Sequence, residues 1–201
     1  QNFNFDLELP AALQDMVTQS LQRVRGHWEK IDQLQFHNQR RVLEALQEQR
    51  ISEQDFGDSS GYGYADSGRE KLERAYAAIL GGEDALVRPQ IVSGTHALAV
   101  TLFGLLRPGE LLLCLTGPPY DTLQAVIGNR GQESGTLAEW GIHYHYAALR
   151  DDGYPDLEAL DPDLQPRVAY IQRSAGYAVK RTGLTTGEIG VLVEEGRTRY
   201  H

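Results

Sequence analysis

Short apolar runs alternating with helical segments constrain this chain more than any other feature. Leu111–Leu115, Ile142–Tyr146 and Val168–Ile171 are each the length of a strand buried in a sheet. Leu86–Val92 predicts a further buried strand ahead of them. Helical spacing covers Ala97–Leu106, Tyr120–Gly128 and Thr185–Glu195, with short helical pieces at Leu137–Trp140 and Leu157–Leu160. Strands joined by helical crossovers predict an α/β fold: a mostly parallel sheet with helices on both faces, three layers in αβα order. Ligands on such sheets gather at the carboxyl ends of the strands. Ser93–His96, Thr116–Tyr120 and Gln172–Tyr177 therefore fall along one rim.

The first of these rim segments has a chemistry of its own. A turn through Ser93-Gly94-Thr95-His96 into a helix leaves several N–H groups without carbonyl partners, at the positive end of the helix dipole. Such a corner suits a phosphate or a carboxylate. Gly94 admits a ligand close to the backbone, and Ser93 and Thr95 add hydroxyl donors. An ordinary helix capped by Ser93 is the competing reading.

Ahead of the sheet lies an arm. Gln1–Leu9 has no clear period. Pro10 opens a helix that runs to Gly26, and a second helix is expected from His27 to Arg50. A loop dense in Gly, Asp and Ser follows, Asp55 to Gly68, with Tyr62 and Tyr64 flanking Gly63. Its aromatic rings favour a binding loop over a linker. Ser67 with Glu70 makes a capping box for the next helix, which Gly81-Gly82 ends. The division expected is an arm and loop over 1–66 and the first part of a larger domain over 67–201.

The net charge of −9 argues against nucleic acid as the main partner. No apolar run approaches a membrane span and no secretory leader is visible, so a cytoplasmic protein is expected. The lone cysteine, Cys114, sits in an apolar run and is expected in the core. His143 and His145 share one strand face, but with no further ligand in view a metal site is not expected. Only three lysines occur, Lys30, Lys71 and Lys180.

Taken together, Asp58–Arg69 with its Gly-Tyr-Gly-Tyr core, Ser93–Ala97, Pro118–Thr122, and Gln172-Arg-Ser174 followed by Gly176-Tyr177 resemble the aluminium-resistance proteins. These are the methionine γ-lyase-like, cystathionine-lyase-related branch of fold type I pyridoxal-phosphate enzymes. The resemblance runs in order from Phe36 to Glu195. It implies a fold type I large domain, present here as its N-terminal portion, and lyase chemistry on a sulfur-containing amino acid. It places the cofactor phosphate at Ser93, Gly94 and Thr95, with His96 beside them, and stacks Tyr120 on the cofactor ring. It sets Ser174 near the cofactor hydroxyl and Arg173 near the substrate. Tyr62 and Tyr64 would reach a neighbouring subunit's cofactor in a homodimer or homotetramer, or pack between subunits. Arg173-Ser-Ala175 departs from the Arg-Ser-Arg usual in the family. The family's Schiff-base lysine and pyridinium aspartate lie beyond the matching segments, and none of the three lysines takes that lysine's place. The 201-residue chain is therefore expected to be inactive alone. The alternative is a non-catalytic phosphate-binding or assembly module of the same fold.

Overall fold

The computed structural model describes residues 9–58, 62, 66–129, 134–175 and 183–200. The chain divides into two compact units, Gln1–Arg88 and Pro89–His201.

The first unit is built on α1, Ala11–Glu48, one helix where two were expected. Gly26 does not break it. A glycine inside a helix costs about 1 kcal/mol against alanine, and stopping there needs a left-handed residue or a capping partner that this stretch lacks. The Arg25–Glu29 ion pair, 3.5 Å, spans the position instead. The C-terminal end of α1 packs on α2, Ser67–Leu80. Ala45 and Ala75 are buried there, and the Arg41 guanidinium donates to the Ile79 carbonyl at 2.6 Å. The cap of α2 lies one residue earlier than the Ser67 expected: the Asp66 carboxylate accepts from Arg69 N and pairs with its guanidinium at 3.0 Å. Ser67 turns its hydroxyl to Asp55.

A short 3-10 helix, Glu53–Phe56, precedes the loop. Asp55 anchors it, accepting from Ser52 N and from Lys71 Nζ, each at 2.8 Å.

Leu86–Val92 is not a strand. Pro89 cannot donate to a sheet ladder. Glu73, at the same time, draws the segment aside, accepting from Val87 N at 2.9 Å and pairing with Arg88. Leu86 and Val92 are left exposed.

The second unit holds the sheet. Among the described residues it has three strands, β1 Leu111–Cys114, β2 His143–Tyr146 and β3 Pro166–Tyr170, in the order β2-β1-β3 and all parallel. Leu111 pairs with His143 and Cys114 with Tyr146 on one side; Leu112 pairs with Val168 and Cys114 with Tyr170 on the other. Successive side chains of a strand face opposite ways, and the core divides accordingly. Leu112 joins Leu102, Leu106, Leu123, Ile127 and Ile142 beneath α3, Gly94–Leu105, and α4, Asp121–Ile127. Leu113 and Leu115 join Leu157, Leu184 and Leu192 beneath α5, Thr186–Arg199. The expected helices at Leu137–Trp140 and Leu157–Leu160 are hydrogen-bonded turns. Gly141, at φ +78°, stops the first, and Asp156 caps Ala159 N in the second. No helix among the described residues is long and apolar enough to cross a membrane.

Candidate functional site

The rim at the carboxyl ends of β1 and β3 faces the start of α3. Ser93 is the N-cap of α3: its extended backbone ends the incoming segment and its Oγ accepts from His96 N at 3.1 Å. Its hydroxyl hydrogen is left to donate elsewhere. The N–H groups of Gly94 and Thr95, in the first turn, have no intrahelical carbonyl to meet. The corner is open. Ser93 and Gly94 are exposed, and a Cβ placed on Gly94 would meet nothing within 4 Å.

Three hydroxyls close the corner from one side. Thr95 Oγ1 lies 3.0 Å from Thr122 Oγ1 and 3.4 Å from the Tyr120 hydroxyl. Asp121, between the two partners, turns one carboxylate oxygen onto Thr122 N at 2.9 Å.

What holds Tyr120 there is the turn after β1. Thr116 is buried and its Oγ1 accepts from Gln172 N at 2.9 Å. Gly117 takes φ +78°, a left-handed conformation that side-chain-bearing residues avoid, and Leu149 packs against the space its side chain would fill. Gln172 Oε1 then accepts from Tyr120 N at 3.0 Å.

The remaining candidates are less tightly joined to this cluster. His96 Nδ1 accepts from Val92 N at 3.4 Å, so that nitrogen serves its own turn. Arg173 is exposed; its Nε donates to the Leu184 carbonyl at 3.2 Å, while its own carbonyl accepts from Leu184 N. Ser174 is exposed and its carbonyl accepts from Gln172 Nε2 at 2.9 Å. Tyr62 belongs to the first unit and is 83% exposed. Tyr64, Tyr177 and Lys180 lie outside the described residues. Sequence reasoning missed Thr122 and Gln172 as members of the cluster. Both stood inside the segments that carried the resemblance, and a polar residue in a rim segment was the available signal.

An α/β protein with a small parallel sheet and a hydroxyl-lined helix corner at its carboxyl rim is the class these features define. The profile of the methionine gamma-lyase family matches residues 13–199, and the chain belongs to that family. The uncharacterized protein YnbB of Bacillus subtilis is 46% identical over 173 residues, 85% of this chain and 41% of its own length. A Listeria monocytogenes structure, described as a candidate cystathionine beta-lyase involved in aluminum resistance, is 39% identical with a TM-score of 0.84. The match covers 93% of this chain and 48% of that one. A carbon-sulfur lyase involved in aluminum resistance from Clostridium novyi is 38% identical with a TM-score of 0.81, covering 95% and 46%. The chain thus spans less than half the length of these relatives.

Proposed function

We propose that this chain forms the phosphate corner and adjoining rim of a fold type I, pyridoxal-phosphate-dependent carbon–sulfur lyase acting on an amino acid of the cystathionine or methionine kind. Family membership and the activities named for its relatives support the class of reaction. The observation that carries the cofactor reading is the meeting of the Thr95, Thr122 and Tyr120 hydroxyls at the open start of α3. A phosphate dianion needs several donors aimed at one point, and a helix N-terminus adds a favourable dipole. The donor set fits.

In this reading Ser93, Gly94, Thr95 and Thr122 hold the phosphate, and Tyr120 lies beside the ring. Ser174 and Arg173 face the cofactor and the substrate carboxylate. His96 shapes the turn that presents Ser93. Pyridoxal phosphate, when bound, supplies an electron sink for loss of the substrate α-proton and of a thiol. Exposed Tyr62, with Tyr64, serves a second copy in a homodimer or homotetramer.

Lys71 is held by Asp55 and by the Arg50 carbonyl, and Lys30 is exposed on α1. Lys180, near the rim in sequence, lies outside the described residues, and in this reading it does not take the Schiff-base position either, so the 201-residue chain binds pyridoxal phosphate without a covalent bond and releases no thiol by itself. Equilibrium dialysis tests both parts. Pyridoxal phosphate should bind in competition with inorganic phosphate, and Thr95→Val should weaken it about tenfold, the loss of one hydrogen bond to a charged group. Unchanged affinity in that variant removes the corner from the site. Thiol release from cystathionine by the chain alone overturns the second part. The module reading is favoured if binding persists while addition of the C-terminal half of a relative restores no turnover.

A further inference from the structure

We propose that Gln172 is the positioning residue of this site, its buried amide locking the start of α4 to the segment that leaves β3. Its place in cofactor binding rests on the reading above; its place in the rim rests on geometry alone. Gln172 is 7% exposed. A buried amide is costly unless its oxygen and nitrogen both find partners. Here Oε1 accepts from Tyr120 N at 3.0 Å and Nε2 donates to the Ser174 carbonyl at 2.9 Å. The two backbone partners fix which end of the amide is oxygen, since an N–H faces one and a C=O the other. Its own backbone N donates to buried Thr116 Oγ1 at 2.9 Å.

One residue therefore ties both ends of the Thr116–Tyr120 turn, 56 and 52 positions away, to its own segment after β3. The Tyr120 hydroxyl stands 3.4 Å from Thr95 Oγ1 only while the Tyr120 backbone stays where Gln172 holds it. Sites of this kind lose function when a group moves by about 1 Å. Neither leucine nor glutamate does the same work: leucine offers neither hydrogen bond, and glutamate accepts from Tyr120 but cannot, when ionised, donate to Ser174.

Amide hydrogen exchange of the full 201-residue chain, paired with pyridoxal phosphate dialysis, tests the assignment. Gln172→Leu should speed exchange at the Tyr120 amide about tenfold, as expected when a buried donor loses its partner. The same variant should weaken pyridoxal phosphate by a similar factor. Gln172→Glu should keep Tyr120 protected to within about twofold, because its acceptor remains. Leu157→Ala is the control, loosening the core on the opposite face of the sheet, beneath α5 and away from the Tyr120 cluster, and it should leave cofactor affinity at the wild-type value. Three results overturn the proposal: Tyr120 exchange unchanged in Gln172→Leu, Tyr120 equally exposed in Gln172→Glu, or affinity lost to the same degree in Leu157→Ala. If the wild-type chain binds no pyridoxal phosphate, the cofactor reading falls, and the exchange pattern still decides whether Gln172 positions the rim.

Discussion

Asp55 shows how much one carboxylate can organise. It receives Ser52 N, Ser52 Oγ, Ser67 Oγ and Lys71 Nζ, and its side chain is 6% exposed. Its carbonyl oxygen lies so close to Gly68 that a Cβ there would stand 2.2 Å away. The two ends of the segment containing Tyr62 are thus fastened at Asp55 on one side and at Ser67 and Gly68 on the other. Gly68→Ala must push backbone against backbone, and should cost about 1–3 kcal/mol in urea unfolding, the usual range for overpacking. The Lys71 ammonium, then the Ser52 N–H, hold the Asp55 carboxyl below its usual 3.8. A carboxyl lowered in the fold adds stability above its unfolded pKa, and that stability is lost as pH falls through the folded value. Asp55→Asn should therefore be less stable than wild type near neutrality. The gap should close below about pH 4, as thermal melts across the acid range will show.

At the scale of elements, legibility followed how local each signal was. The strands around Leu112, Tyr144 and Val168 were readable because a short apolar run bounded by turns has few alternatives; the first two lie within the spans expected, and the third starts two residues earlier, at Pro166, and ends at Tyr170. Ser93 was readable as a cap because its hydroxyl needs only the N–H three residues on. Leu86–Val92 misled because its apolar pattern was local, whereas Glu73, which draws Val87 and Arg88 away, lies a helix earlier. The closeness of Thr95 to Tyr120, 25 residues on, followed from the rim rule for parallel sheets, whereas Thr122, two residues past the expected rim segment, was not anticipated. Gln172 was hidden, since no local pattern says that a polar side chain will be buried. Gly26 misled in the other direction: it was read as a stop, and it sits inside a helix with nothing within 4 Å of where a Cβ would go. Gly26→Ala should add about 0.5–1 kcal/mol to the stability of α1, through the lower backbone entropy of alanine when unfolded. Circular dichroism at the helix band should show a higher melting point for the first unit. An unchanged or lowered one would mean that the glycine serves a bend or a close contact.

Across the whole molecule, two strongly shifted acids lie side by side at the middle of the sheet. Cys114 ends β1, the central strand, and is fully buried. Burial pushes its thiol from an ordinary 9.0 up to about 12. Tyr144, on the neighbouring strand, is also raised, first by burial and then by Cys114, which acts on it electrostatically and through a side-chain hydrogen bond. Both acids are held protonated in the folded chain and ionise more easily in the unfolded one. Above the unfolded thiol value the folded state binds more protons than the unfolded, so stability must fall as pH rises. The thiol's share is intact below 9.0 and is lost progressively toward about 12. Three pK units at about 1.4 kcal/mol each set its size on the order of 4 kcal/mol, an upper bound for a site that can relax or admit water. Cys114→Ala removes that share at the expense of a small cavity, about 1 kcal/mol. Denaturant unfolding should then show wild type more stable near neutrality, with the two profiles converging and crossing as the solution becomes alkaline. Parallel profiles would place the thiol in contact with solvent. The same burial makes Cys114 a reporter of global opening: a disulfide reagent at about pH 8 should label it only as fast as the second unit unfolds, since the thiolate is the reactive species. Labelling at the rate of a free thiol, in chain that is otherwise folded, would contradict the core assigned to β1.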